Sequence, residues 1–358
     1  MINWPKEGND FYVNLLEMLP QQRAKALELA KMHTMNFIYF IQHELGYNNL
    51  GLADDEFPTT DKLPFIPYIR ESRRIHGVVR FTLNDVTDPF SQSQNLYRTD
   101  IAVGDYPVDH HHNHYNGNEK LPVLHFCPIP SFGLPLGVLI PKDVDALIVA
   151  EKSISVSNII NGATRLQPVV IQIGQAAGAL ASIAITKNEK VRNVNVRDVQ
   201  NVILEAGGYL LPYLDVEVNN MAFKSFQRIG ATGILKGVGK SEGWSNQTWL
   251  RTDMLLLSSE LKGLRDVYPN GDYIMKDGNQ HVTLQKAIDI INTIIISTDI
   301  DLSQKELYEQ AHSIWQKFGY GKFDLQKYIS RGEMAVLVDK LLDPFNNVKI
   351  DMTGHFIK

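Results

Sequence analysis

A single cysteine, Cys127, stands among 358 residues. No disulfide can close within this sequence, and no thiolate metal cluster can form. Basic residues are neither in excess nor clustered, and the net charge is −5. That leaves no electropositive stripe of the kind a nucleic acid requires. The first ten residues have no basic start and no apolar run, so they are not a signal peptide. Trp4 and Pro5 read as the middle of a loop, and the chain is expected to be cut from something longer. A serine nucleophile elbow, a P-loop and a zinc-protease pair are all missing, so a hydrolase has no local support. The one long apolar run, residues 166–185, is about long enough for a bilayer, where roughly 20 residues are needed. Gln167, Gln172 and Gln175 interrupt it, which favours a buried helix over a membrane span.

What is present is ordinary globular material. The apolar fraction is 44% and the charged fraction 21%, enough for a real core. At about 100–200 residues per domain the length suggests two domains, or three. Residues 21–45 place Ala24, Leu27, Ala30, Thr34, Ile38, Ile41 and Leu45 on one helical face, and Gly46 supplies a stop. An irregular, proline-punctuated connection follows. Its acidic residues Asp54, Asp55 and Glu56 are most simply solvated, because they lack the spacing of a calcium loop. Residues 77–83 alternate as a half-buried strand does. Residues 100–103 and 121–127 read as further strands, with Asp109, His110, His111, His112, Asn113 and His114 between them. Residues 144–150 fit a fully buried strand of a parallel sheet. A turn at Asn161-Gly162 leads into a helix over 163–185. Pro168 falls in its first turns, and small residues at its centre allow close approach to a sheet. A helix over 196–206 ends at Gly207-Gly208. After Leu211-Pro212 the pattern becomes helical and amphipathic over 219–263 and 282–341. Ser330 and Glu333 form a capping box there. Residues 1–211 are therefore expected to form one domain, and residues 212–358 a separate all-helical module.

Several blocks carry a family resemblance. Arg70-Glu71-Ser72-Arg73-Arg74-Ile75-His76-Gly77, followed by Asn84-Asp85-Val86, is one. Residues 100–109, followed by histidine, are the second. Residues 139–150 with Ser153 and Ser155 are the third. Gly162-Ala163-Thr164-Arg165 with Gly174-Gln175-Ala176-Ala177-Gly178 is the fourth. In this order they resemble the bacterial FAD-dependent oxidoreductases of the glutathione-reductase-like superfamily, some of whose members are labelled xanthan lyases. The resemblance spans roughly residues 1–205. It implies an α/β fold with a mixed sheet, a partial FAD/NAD(P)-binding-type domain, and hydride transfer between an organic substrate and FAD. The chain departs from the family in two places. The opening Gly-x-Gly-x-x-Gly turn, which brings backbone amides to the pyrophosphate, is absent. Ala150-Glu151-Lys152 replaces an Ala-Gly-Arg sequence. The resemblance thus implies the carboxyl-terminal half of a flavoenzyme that binds FAD poorly alone and needs an amino-terminal FAD-binding segment or subunit. Bands at residues 233–237, 250–253 and 329–335 weakly resemble S-layer homology repeats.

On this resemblance Glu151, Ser153, Asn161, Gly162, Ala163, Arg165 and Gln167 line the flavin. Glu151 would accept a hydrogen bond from a ribityl hydroxyl. Gly162 and Ala163 would supply amides, and Arg165 positive charge, at a helix amino terminus. The plainer reading is a β-turn-α unit that only packs. His111 and His125 are proton-transfer candidates, since imidazole titrates near neutrality. Arg73 joins them as a catalytic candidate within a cationic group with Arg70 and Arg74. That group either binds an acidic substrate or braces Glu71 and Asp85. Asp109, His111 and Asn113 would share a strand face as metal ligands, but a simple polar loop accounts for them equally, and no metal is assigned. Two other functions stay open. One is a saccharide- or cell-wall-associated scaffold. The other is a polysaccharide lyase built on His111, Tyr115 and Arg73.

Overall fold

The computed structural model describes residues 2–109, 111, 118, 127–242, 245–269, 279–298 and 300–357. The chain divides into two compact units, one of residues 1–72 with 110–123, the other of residues 73–109 with 124–358.

The first unit is built on α1, Pro20–His43. Pro20 lacks the amide that a first helical turn leaves unpaired, so it starts the helix at no cost. Gly46, at φ +76°, takes the chain away in the left-handed conformation that glycine adopts freely. The expected helix is thus present almost residue for residue. A π-helical turn at Pro5–Asn9 packs beside it. Trp4 meets Phe37 edge-on at 5.8 Å, and the His33 ring nitrogen Nε2 lies 2.8 Å from the Gly8 carbonyl. Residues 51–69 are irregular, as their prolines predict, and Asp54 pairs with Lys62 at the surface. Ala26, Ile41 and Leu63 are the buried apolar side chains of this unit among the described residues.

The second unit centres on three irregular extended segments. Val78 donates to Ile140, and Ser155 to Val138, at 2.8 and 2.9 Å. Phe81 donates to Ser155, and Ser157 returns a bond to Phe81, at 3.0 and 2.9 Å. Residues 77–83 are therefore not a full strand. Gly77 and Phe81 make isolated bridges, and a capping box between Thr82 and Asp85 then starts α2, Leu83–Thr87. Beside these segments β1, Asp100–Gly104, pairs antiparallel with β2, Phe132–Pro135, with a bulge between Asp100 and Ala102. The Gln172 side chain completes the outer edge of β1, accepting from Val103 N at 2.9 Å and donating to Val103 O at 3.1 Å.

Two further expectations fail here for identifiable reasons. Residues 144–150 are not a buried parallel strand. Val144 and Leu147 are exposed, Ala146 has φ +55°, and one ladder bond, Val149 N to Leu139 O at 2.9 Å, ties the segment down. A left-handed residue in mid-segment breaks the pleat that a ladder needs. The helix predicted over 163–185 is two helices, α3, Asn158–Thr164, and α4, Gln167–Lys187. Pro168 has no amide to donate to Thr164, so the two cannot be continuous. The strand expected over 121–127 lies outside the described residues except Cys127, which bridges Val108.

After α5, Val196–Glu205, come α6, Phe223–Thr232, and a hairpin of β3, Val238–Glu242, with β4, Ser245–Trp249. Then follow α7, Gly263–Val267, α8, Leu284–Ser297, α9, Gln304–Lys317, α10, Arg331–Leu342, and α11, Pro344–Asn347. The capping box of α10 is present as predicted, with Ser330 N on Glu333 Oε2 at 2.7 Å. The separate all-helical body is not what forms. Residues 212–358 contain a β-hairpin and share one hydrophobic core with residues 73–211. Buried polar groups join the two parts. Arg98 donates to the carbonyls of Thr232 and Gly354 at 3.1 and 3.0 Å. Arg197 donates to Ala231 O at 3.2 Å and stacks on Phe345 at 4.2 Å. Burial, and then the charge of Arg98, bring the Arg197 guanidinium down to about 9.

Candidate functional site

A cleft of about 680 Å³ lies in the first unit, between the amino-terminal segment, α1 and the proline-rich connection. That volume is typical of small-molecule sites. Its walls are mostly carbon, from Leu27, Phe37, Leu63, Phe65 and Ile69 among others. Asn3, Asn14, Thr34 and other polar side chains interrupt them, and three polar residues form a hydrogen-bonded chain. Asp10 Oδ2 lies 2.6 Å from His111 Nδ1, and Arg70 Nε donates to Asp10 Oδ1 at 3.2 Å. The His111 side chain is 7% exposed and Asp10 13%. A carboxylate on Nδ1 holds the proton there and makes Nε2 the basic nitrogen, the arrangement a general base requires. The Arg70 guanidinium also lies over the Tyr68 ring, 5.6 Å from its centroid. Sequence reasoning selected His111 but missed Asp10, which is 101 positions away with no local pattern to mark it. It gave the arginines two roles, binding an acidic substrate or bracing Glu71 and Asp85. In the structure Asp10 holds Arg70, and Asp85 caps the Thr82 backbone at 2.7 Å. Arg73 is exposed and belongs to the second unit. His125, Asn113 and Tyr115 lie outside the described residues. Among the described residues no group of three metal-ligating side chains forms.

The residues expected to line a flavin all fall in the second unit. Asn161, Gly162, Ala163 and Arg165 are brought together and buried. Arg165 Nη2 holds Asp109 through its carbonyl at 3.1 Å and its carboxylate at 3.3 Å. A Cβ on Gly162 would lie 2.6 Å from the Asp109 carbonyl oxygen, so glycine there admits this chain's own backbone. Gly162 and Ala163 come after the first turn of α3, where amides are committed within the helix. The expected amide contacts therefore do not arise from this geometry. The amino end of α3 is closed by Ser157, whose Oγ accepts from Ile160 N at 3.3 Å. Glu151 sits in a 3₁₀ turn with Ser153, half exposed at φ +66°, and pairs with Lys152 at 3.2 Å. Gln167 is exposed at the start of α4. Both polar atoms of Asn161 and the Thr164 hydroxyl are buried with no partner among the described residues, a costly state. Taken alone, these residues do not fit FAD. The positions that should face it are filled by Asp109 and Ser157, and nothing in the sequence supplies a pyrophosphate cradle.

Comparison with known proteins shows the class to which these two units belong. The family described as FAD dependent oxidoreductase matches residues 1–203. This chain belongs to that family. No curated protein and no solved structure matches it.

Proposed function

We propose that this chain is the carboxyl-terminal portion of a flavin-dependent oxidoreductase, acting with a separate amino-terminal segment that carries the dinucleotide-binding turn. The family match over residues 1–203 carries the reading. The surface of α4 supports the need for a partner. Val169, Ile173, Ala176, Leu180 and Ala184 are buried against this chain, while Ile171 and Ile185 on the other side are 72% and 81% exposed. Nothing lies within 4 Å of where a Cβ on Gly174 or Gly178 would be. A bare glycine face of this kind lets another backbone approach closely. A strand–Gly-x-Gly-x-x-Gly–helix segment is the occupant that the family membership and the missing turn call for.

The reaction is hydride transfer between an organic substrate and FAD, with the cofactor supplying the redox chemistry. The chain's own contribution is the cleft of the first unit, which receives the substrate. His111, oriented by Asp10, accepts the substrate proton. In the second unit Asn161, whose buried polar atoms have no partner among the described residues, is the candidate for contact with the flavin. The test is FAD titration followed by flavin fluorescence. The chain alone should leave the emission unquenched. The chain with a family member's strand–turn–helix segment should quench it saturably, and an unquenched mixture would sink the proposal.

A further inference from the structure

We infer that the cleft of the first unit selects a small apolar monocarboxylate. This deepens the reading of the cleft as the substrate pocket, yet its test needs no flavin. Three observations carry it. First, Arg70 spends only Nε on the protein. Asp10 holds that nitrogen at 3.2 Å, while Nη1 and Nη2 have no acceptor among the described residues. Asp10 is fixed in turn by His111 at 2.6 Å, so the guanidinium is braced where it lines the cleft. The Nη1–Nη2 edge is the one that forks onto a carboxylate. Second, the walls are largely carbon, including Leu27, Phe37, Leu63 and Phe65. An apolar neutral ligand would strip water from the Arg70 donors without replacing it, a penalty that a carboxylate removes. Third, the charge balance points to a single negative charge. The cleft also holds the Asp10 carboxylate, and its other cation, Lys31, is engaged with Asp61 at 2.5 Å. A dianion such as a phosphate monoester would face that carboxylate with one cationic edge.

The experiment is calorimetric titration of the purified chain with naphthylacetate and with its neutral amide, naphthylacetamide, in the absence of flavin. The two probes share shape and apolar area and differ in charge. The acid should bind about tenfold more tightly than the amide, the ratio expected of one charge-assisted fork. Arg70→Gln should erase that preference while leaving the amide's affinity unchanged, and Arg70→Lys should retain only part of it. Equal affinity for acid and amide, a preference that survives Arg70→Gln, or failure of both probes to bind the folded chain would each overturn the inference. If Arg70→Gln does not fold, the comparison of acid and amide on the unaltered chain decides. A chain that discriminates the probes but never takes up flavin with the complementing segment would keep this inference and lose the oxidoreductase reading.

Discussion

Asp100 is a carboxyl group in the core, with no basic side chain hydrogen-bonded to it among the described residues, packed so tightly on Gly133 that a Cβ there would lie 1.7 Å from Oδ2. Burial pushes its pKa well above the usual carboxylate range, which favours the neutral acid. The folded pKa exceeds the unfolded one, so the linked stability is fully present below the unfolded value and is lost as pH rises toward the folded value. Asp100→Asn, neutral at every pH, should therefore melt higher than the parent near pH 7, by about 1–3 kcal/mol. The difference should vanish in acid, and melting curves across that range measure both. Glu151 makes a second case. A glutamate at φ +66° is strained, because a side chain there crowds the backbone. Glu151→Gly should raise stability by up to about 1 kcal/mol, the reverse of glycine's usual effect, as read by chemical denaturation. At this scale the sequence pointed to His111, Gly162 and Arg165 but not to their partners. Asp10 and Asp109 are brought in by the fold, and no spacing rule reaches that far.

Single elements were legible wherever local chemistry decided them. Pro20 and Gly46 bracket α1, and Ser330 with Glu333 caps α10, each through short-range bonds that the residue types require. Residues 144–150 misled because an apolar run signals burial without saying whether a neighbouring ladder exists. The small-residue centre of α4 was expected to let the helix approach a sheet closely; Ala176 is buried, but among the described residues nothing lies within 4 Å of where a Cβ on Gly174 or Gly178 would be. That leads to a contrast at the level of the helix. Gly174→Leu has open space for its side chain and improves helix propensity by about 1 kcal/mol, so the chain alone should melt no lower. The same change should abolish flavin uptake with the complementing segment. Unimpaired uptake would remove α4 as the docking face.

At the scale of the molecule, the division lies at residues 72–73 and not after residue 211. Amphipathic helices in residues 212–358 suggested an independent module, because sequence patterning shows that a face is buried but not against what. Here that face meets the core of the family domain, and Arg98 and Arg197 reach across to carbonyls of Thr232, Gly354 and Ala231. Removing residues 212–358 would expose the shared core and take from Arg98 and Arg197 the carbonyls of Thr232, Gly354 and Ala231, a loss of several kcal/mol set against a total stability of about 5–15 kcal/mol. The fragment 1–211 should accordingly lack a cooperative thermal transition and bind hydrophobic dyes, and a cooperative melt like the parent's would show the carboxyl-terminal part to be dispensable. The central claim is that this family member holds FAD only together with a supplied dinucleotide-binding segment. Its most direct test is the flavin content of the purified complex after co-expression with that segment, beside the chain expressed alone. The account predicts close to one FAD per complex and none on the chain alone. A flavin-free complex, or a chain that retains FAD by itself, would contradict it.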